Sequence, residues 1–285
     1  MNQISIKSYA KINISLNIKE KRPDGYHELD SIMVPIELHD SIIISKLPMK
    51  TDDNFVTVDD FSSGLIHYNL VSACINALTK KYNRKEHFRV YIHKNIPMQA
   101  GLGGGSSNAA FAMKAINNLL KLGASDEEIV EIATPLGADI PFFVRAIPSR
   151  CQGIGEKITP IEIKNNYNVL IIKPKEGVST KEAFQIVDKA PYKQVDIEKV
   201  LEGLREGDDD KVAEYMGNSL EDAAVQLVPE IKEIKDYLYS KGLKLVLMSG
   251  SGSTVFALST DKNLLKKIVK EVEDKWFVEL TRIIK

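Results

Sequence analysis

The most constraining stretch of this chain is Pro97-Met98-Gln99-Ala100-Gly101-Leu102-Gly103-Gly104-Gly105-Ser106-Ser107-Asn108-Ala109-Ala110. Four of the five residues from 101 to 105 are glycine, so this backbone can bring its N–H groups close to a ligand with no Cβ in the way. The residues that follow change character. Ala109, Ala110, Met113, Ile116, Leu119 and Leu120 recur at helical spacing and form a broad apolar face. Ser106 or Ser107 is the expected cap of this helix and Gly123 its expected end. A glycine loop that opens a helix offers unsatisfied N–H groups and the positive end of the helix dipole. Phosphate oxygens suit such a site best. The hydroxyls of Ser106 and Ser107 can add hydrogen bonds or reach a phosphate-bound magnesium ion. A flexible loop before a capped helix is the plainer alternative, and the density of glycine argues against it. No Gly-Lys-Ser/Thr follows, so this is not a Walker A loop, and Ser106 stands where a dinucleotide fingerprint has its third glycine.

The region before the loop reads as β-structure. Ile4, Ile6, Ala10, Ile12, Ile14, Leu16 and Ile18 are apolar at even positions, and Lys7, Lys11, Asn13, Ser15 and Asn17 are polar at odd ones. A period of two predicts a strand with one buried face, Lys11 and Asn13 sharing the other. Taken alone, such a lysine is ordinarily a solvated edge residue. Pro23-Asp24-Gly25 is a turn signal. The apolar runs Ile32–Leu38 and Ile42–Leu47, joined through His39-Asp40, predict a hairpin. Leu70–Tyr82 has helical spacing, and Phe88, Val90 and Ile92 alternate as a strand. A further helix is expected at about Ser125–Thr134, with Asp126, Glu127 and Glu128 in its first turn, where the dipole favours acids. Asp139 follows Gly137-Ala138 and precedes Pro141-Phe142-Phe143. A carboxylate on that turn could accept a proton from a hydroxyl, although turn aspartates commonly cap helices.

A second unit is expected beyond a boundary between Gly153 and Asn166. Val169–Lys173 reads as a strand, and Pro229–Ser240 as a helix with Pro229 at its first position and Gly242 as its stop. Strands follow at Lys244–Met248 and Thr254–Leu258, around the tight turn Ser249-Gly250-Ser251-Gly252. A helix carrying Leu264, Leu265, Ile268, Val269 and Val272 leads to a strand at Phe277–Ile283. That order is β-α-β-β-α-β, the split arrangement of a ferredoxin-like layer.

Composition narrows the function classes. With 285 residues, 44% hydrophobic and 27% charged, the chain can bury one large core or two smaller ones. A formal net charge of −1 gives no basic excess for nucleic acid, and no basic amphipathic segment suggests a membrane surface. Apolar runs such as Val169–Ile172 are too short to span a bilayer, and the first residues predict no secretion signal. Cys74 and Cys151 form neither a Cys-x-x-Cys pair nor a disulfide framework, which fits a reducing cytoplasm. His27, His39, His67, His87 and His93 form no His-Glu-x-x-His pattern, so no protein-built metal site is expected.

Three separated motifs resemble the GHMP small-molecule kinases, the superfamily of galactose, homoserine, mevalonate and phosphomevalonate kinases. The first is Ala10-Lys11-Ile12-Asn13 with Lys21-Arg22-Pro23-Asp24-Gly25-Tyr26-His27-Glu28-Leu29; the second is the glycine loop; the third is Met248-Ser249-Gly250-Ser251-Gly252-Ser253. Gly137-Ala138-Asp139-Ile140-Pro141-Phe142-Phe143 adds to them. The likeness runs over nearly the whole chain. Its first motif is specific to the branch acting on a cytidine-diphosphate-linked methylerythritol; the other two are common to the superfamily. The resemblance implies an α+β fold of two GHMP-kinase domains, 1–158 with the phosphate loop and 159–285 with the ferredoxin-like layer, and an active site between them. It implies transfer of the γ-phosphate of ATP, with magnesium carried by the nucleotide, to the 2-hydroxyl of diphosphocytidyl-methylerythritol in non-mevalonate isoprenoid synthesis.

Residue roles follow from the same resemblance. Asp139 is the implied proton acceptor, paired with Lys11, and Asn13 binds the substrate hydroxyl or the lysine. Tyr26 and His27 hold the cytosine, by stacking and by edge hydrogen bonds. Phe184, in Val178-Ser179-Thr180-Lys181-Glu182-Ala183-Phe184, is a second aromatic clamp, at a position that could equally be helix core. Residues Pro97 to Ser107 bind ATP, with Asn69 near the nucleotide and Lys94 near adenine. Gly250, Ser251 and Gly252 approach the substrate phosphates. The implied partner is a small molecule, with no nucleic acid and no membrane, for a monomer or weak homodimer. One segment departs from the family pattern: Val144-Arg145-Ala146-Ile147-Pro148-Ser149-Arg150 replaces an expected Gly-Gly-Thr-Ala turn and strand, close to Asp139. A different GHMP kinase, acting on a sugar or homoserine, and a nucleotide-sensing protein without turnover are the alternatives.

Overall fold

The alternation at the start of the chain runs on into two long strands, β1 (Gln3–Lys21) and β2 (His27–Lys46), which pair with each other. Gly25, at φ +87°, supplies the left-handed residue of the turn that joins them. The computed structural model describes residues 3–48, 53–59 and 69–285; His67 lies outside them. The elements that follow are β3 (Phe55–Asp59), α1 (Leu70–Lys81), β4 (Phe88–His93), α2 (Gly104–Leu120), α3 (Asp126–Ala133), α4 (Ile140–Arg145), β5 (Ser149–Gly153), β6 (Lys157–Pro160) and β7 (Asn168–Lys173). Then come α5 (Thr180–Val187), α6 (Ile197–Glu206), α7 (Asp209–Tyr215), α8 (Glu221–Leu227), α9 (Glu230–Ser240), β8 (Leu245–Met248), β9 (Val255–Ser259), α10 (Lys262–Val272) and β10 (Phe277–Arg282). Among the described residues no helix is long and apolar enough to cross a membrane.

Two compact units divide the chain. Among the described residues, one gathers those up to 10, 39–97 and 103–146; the other gathers 11–38, 98–102 and 147–285. β1 and β2 each contribute residues to both units.

In the first unit β3 pairs in parallel with β4, Phe55 opposite Arg89. A parallel pair needs a crossover, and α1 supplies it in sequence. β4 also pairs antiparallel with the C-terminal half of β2, Ser41 opposite His93. Helix α2 buries Ala109, Ala110, Met113 and Ile116 and packs against α1 and α4. The acidic start of α3 is closed by a capping box between Ser125 and Glu128, which satisfies two N–H groups at once.

In the second unit the N-terminal half of β2 pairs with β5, and β5 with β6. A separate four-stranded antiparallel sheet has the order β10-β7-β9-β8. Numbered within this layer the order is fourth, first, third, second, the ferredoxin-like arrangement expected from the element order. Its core joins Leu170, Ile172, Met248 and Val255 to Ile231, Ile234 and Leu238 of α9 and to Leu265, Ile268 and Val272 of α10. Each such side chain contributes about 1.5–3 kcal/mol by burial, and truncating Ile234 to alanine should cost about 2–5 kcal/mol.

Several local expectations are corrected. β1 is buried on both faces from Ala10 to Ile18, so Lys11 does not lie on a solvated face. Residues 32–46 form no hairpin, since β2 passes straight through His39-Asp40. Pro35, which has no N–H to give, falls between the stretch of β2 that pairs with β5 and the stretch that pairs with β4. Neither Ser106 nor Ser107 caps α2; Gly103 does so at φ +70° without a side-chain bond, and the helix ends at Lys121 (φ +52°), two residues before Gly123. Pro229 is the N-cap of α9 and lies just outside its first helical position.

Candidate active site

In the first unit, the exit of the glycine loop rests on a buried carboxylate. Asp40 is fully buried and accepts from Lys94 Nζ (2.5 Å), the backbone N–H groups of Asn95 and Ile96 (both 2.8 Å) and Asn108 Nδ2 (3.0 Å). Ser8 Oγ donates to Asn108 Oδ1. One side chain thus ties β2, the segment before the loop and the first turns of α2. A Cβ on Gly104 would lie 3.1 Å from Lys94 Nζ and 3.0 Å from Ile96 Cγ2, so the backbone of the loop approaches the lysine where only glycine fits easily. Ser107 Oγ donates to the Tyr9 carbonyl at 2.6 Å. No side chain caps α2, and its first-turn N–H groups keep the capacity to bind an anion.

Asn69 and Asp139 belong to the same unit. Asn69 is the N-cap of α1, its Oδ1 accepting from Val71 N at 2.8 Å. Asp139 stands at the N-cap position of α4 but makes no capping hydrogen bond, so helix capping does not explain this aspartate. It is half-buried, and the residues after it, Ile140 to Val144, are all buried, which anchors its backbone to the core.

The second unit brings Lys11 together with the first half of the loop and with the Ser249–Gly252 turn. Lys11 is 3% exposed, which excludes a solvated surface lysine. Its Nζ donates to Asn13 Oδ1 at 2.6 Å, Asn13 Nδ2 donates to Ser31 Oγ at 2.7 Å, and Ser31 Oγ donates to the Ser15 carbonyl at 2.8 Å. This buried polar row is satisfied throughout, as burial of polar groups requires. The Lys11 N–H donates to the Leu102 carbonyl at 3.0 Å. Ser249 Oγ donates to the Gly101 carbonyl at 2.9 Å and accepts from Asn13 N at 3.2 Å. A Cβ on Gly250 (φ +56°) would lie 3.2 Å from Lys11 Nζ and 3.0 Å from the Gly101 carbonyl oxygen. Asn218 Nδ2 holds the turn from below, donating to the Met248 and Gly250 carbonyls at 2.9 and 2.8 Å. Ser251 Oγ lies 2.7 Å from Thr180 Oγ1 at the start of α5. Gln99 packs against Gly177, where a Cβ would come within 2.6 Å of the Gln99 Cβ.

The aromatic cluster is also in this unit. His27 is buried and Tyr26 is 58% exposed. Phe184 stacks on the His27 ring, centroids 4.6 Å apart and planes at 24°. It also packs against the core of the ferredoxin-like layer, as the helix-core expectation has it.

The segment that departs from the family pattern is ordered by its own contacts. Ala146 ends α4 in the left-handed conformation (φ +48°), its N–H donating to the Phe142 carbonyl, and so takes a backbone position that glycine would fill without strain. Arg150 forms a bidentate pair with Asp30, at 2.8 and 2.7 Å, and Asp30 is 2% exposed. Burial alone would raise the Asp30 carboxyl. Arg150, then Lys19, outweigh burial and hold it below its ordinary value. The guanidinium is raised in turn, chiefly by its hydrogen bond to Asp30.

The GHMP kinases N terminal domain matches residues 69–146, and the GHMP kinases C terminal domain matches residues 200–278. A 4-diphosphocytidyl-2-C-methyl-D-erythritol kinase of Caldicellulosiruptor bescii is 33% identical over 277 residues, covering 94% of this chain and 96% of that one. One of Clostridioides difficile is 39% identical over 264 residues, covering 92% and 88%. The chain belongs to the 4-diphosphocytidyl-2-C-methyl-D-erythritol kinase family of GHMP kinases. A crystal structure of 4-(cytidine 5'-diphospho)-2C-methyl-D-erythritol kinase superposes with a TM-score of 0.81 at 27% identity, covering 99% of this chain and 100% of that one. A homoserine kinase from Cytophaga hutchinsonii shares the fold, with a TM-score of 0.75 at 18% identity over 100% of this chain and 95% of that one.

Several residues that build this GHMP kinase's candidate site were missed in the sequence. In the sequence Asp40 reads as a hairpin tip; the contrary signal is an acid inside an apolar run with no glycine, proline or asparagine beside it. Ser31, Asn108 and Asn218 carry no local signal, because their partners are remote in sequence. Among the described residues no group of three or more His, Cys, Asp or Glu side chains could hold a metal ion.

Proposed function

We propose that this chain transfers the γ-phosphate of ATP to the 2-hydroxyl of 4-diphosphocytidyl-2-C-methyl-D-erythritol, giving ADP and the 2-phosphate in isoprenoid precursor synthesis. The observation that carries this choice of acceptor is the likeness, over nearly the whole of both chains, to relatives named for that activity. The phosphates of ATP lie along residues 97–107 at the N-terminus of α2, with Lys94 and Asn69 toward the nucleotide. Magnesium arrives chelated by ATP, as is common when phosphates supply the coordination. Asp139 receives the proton of the acceptor hydroxyl. The Lys11 ammonium, buried and steadied by Asn13, stabilises charge on the transferred phosphoryl group more strongly than a solvated lysine would. Gly250, Ser251 and Gly252 lie toward the substrate phosphates, and Tyr26, His27 and Phe184 hold the cytosine. The enzyme acts in the cytoplasm as a monomer or weak homodimer.

A coupled ADP-release assay tests the proposal. Turnover is expected with the diphosphocytidyl acceptor and not with homoserine, mevalonate or galactose. Turnover with one of those three alone would assign the chain to another GHMP activity. ATP binding without turnover on any of the four would make it a nucleotide sensor.

A further inference from the structure

We infer that Asp188 fixes the tautomer of His27, and thereby makes this kinase select an acceptor whose pyrimidine carries an amino group on its edge, cytosine over uracil. The inference rests on the proposed reading of the Tyr26–His27 turn as the nucleobase site.

The geometry begins with α5. Phe184 and the C-cap residue Asp188 are four positions apart, so they share one face of the helix, and both meet His27. The Phe184 ring covers the face of the imidazole at 4.6 Å. Asp188 Oδ1 lies 2.8 Å from His27 Nε2, and Asp188 Oδ2 accepts from Lys21 Nζ at 2.5 Å. Lys21, and after it His27, hold the Asp188 carboxyl below its ordinary value against the opposing effect of burial, so it remains an ionised acceptor. An ionised carboxylate can only accept, which puts the imidazole proton on Nε2 and leaves Nδ1 of the neutral ring as an acceptor. No hydrogen bond among the described residues takes up that Nδ1.

A base that bonds to Nδ1 in the imidazole plane must therefore present an N–H. Cytosine has its N4 amino group at the position where uracil has the O4 carbonyl. Uracil would set a lone pair against a lone pair. A base coplanar with the imidazole also lies at about the same 24° to the Phe184 ring as the imidazole does. Lys21 and Asp188 act through His27, and neither is required to touch the base.

Two measurements test this on the whole chain. Long-range ¹H–¹⁵N correlation of the ligand-free protein reads the tautomer: the neutral His27 ring should carry its proton on Nε2. A proton on Nδ1 would overturn the inference. Cytidine diphosphate and uridine diphosphate are then compared as inhibitors competing with the acceptor. The unaltered chain should prefer the cytidine nucleotide by about tenfold or more, one missing hydrogen bond being a factor of that order. Asp188→Asn, whose amide can donate to Nε2 and so admit the other tautomer, should bring the ratio toward one and raise the acceptor KM more than it lowers kcat. Asp188→Glu should restore part of the ratio. A cytidine preference that is unchanged in Asp188→Asn would overturn the role of Asp188 alone. Equal inhibition of the unaltered chain by both nucleotides, with the Nε2 proton in place, would overturn the nucleobase reading and the inference with it.

Discussion

Gly101 meets Ser249 so closely that a Cβ on Gly101 would overlap the Ser249 carbonyl oxygen, while the Ser249 hydroxyl donates back to the Gly101 carbonyl at 2.9 Å. The glycine also sits at φ +70°. Gly101→Ala therefore meets two penalties, about 1–3 kcal/mol for overpacking and about 1–2 kcal/mol for a left-handed alanine. The urea midpoint should fall accordingly, and the KM for ATP should rise because the loop can no longer seat against the turn. A midpoint and KM both equal to those of the unaltered chain would mean that loop and turn separate without cost.

That contact shows where the sequence was legible. The glycine loop, the helix after it and the four strands of the ferredoxin-like layer each carry a local pattern, and each forms within a few residues of its expected limits. Gly101 and Ser249 each stand in a recognisable motif, but nothing local says that they touch, since 148 residues separate them. The failures have the same cause. His39-Asp40 reads as a turn because a polar pair breaks two apolar runs, and only the distant N–H groups of Asn95 and Ile96 explain a carboxylate in mid-strand. Period two in β1 correctly paired Lys11 with Asn13. It could not show that the polar face is also covered, because that depends on Leu102, Ser31 and Ser249.

Ala146→Gly should stabilise the chain. Alanine at φ +48° bears a left-handed penalty of about 1–2 kcal/mol, while glycine loses about 0.5–1 kcal/mol through the freedom of its unfolded chain. The expected net gain is about 0.5 kcal/mol, read as a small rise in Tm. A loss of stability would mean that the Ala146 methyl contributes packing larger than the strain.

Arg150→Met tests the pair that orders the departing segment. Removing one partner of a buried ion pair costs about 3–5 kcal/mol, and Lys19 and Gln152, which also reach Asp30, should keep the loss near the lower end. The sign of the pH dependence follows from Asp30. Its folded-state pKa is depressed below the ordinary 3.8, so the stability it provides is complete above that value and is lost as pH falls through the folded pKa. The difference in unfolding free energy between the two proteins should be widest near neutrality and should narrow below about pH 3.8. A difference that is constant from pH 7 to pH 3 would show that the Asp30 carboxylate is not what Arg150 stabilises.

The sharpest test concerns Asp139 and Lys11. Asp139→Asn is nearly isosteric, and because the carboxylate makes no capping bond to α4, folding should survive. A carboxamide cannot accept the hydroxyl proton at neutral pH, and loss of a general base typically costs about 10²–10⁴-fold in rate. ATP binding, measured by calorimetry, should persist. Lys11→Met should also lower kcat through lost charge stabilisation. It should lower the Tm as well, since Asn13 and Ser31 lose the donor that begins their buried row. If both groups serve one transition state, the double variant loses less than the product of the single losses. Phosphoryl transfer has a loose transition state in which positioning can outweigh base strength. A loss of only about tenfold for Asp139→Asn would accordingly assign the carboxylate to orienting the hydroxyl. Full activity of Asp139→Asn with the diphosphocytidyl acceptor would remove it from the site, and strictly multiplicative losses in the double variant would separate its role from that of Lys11.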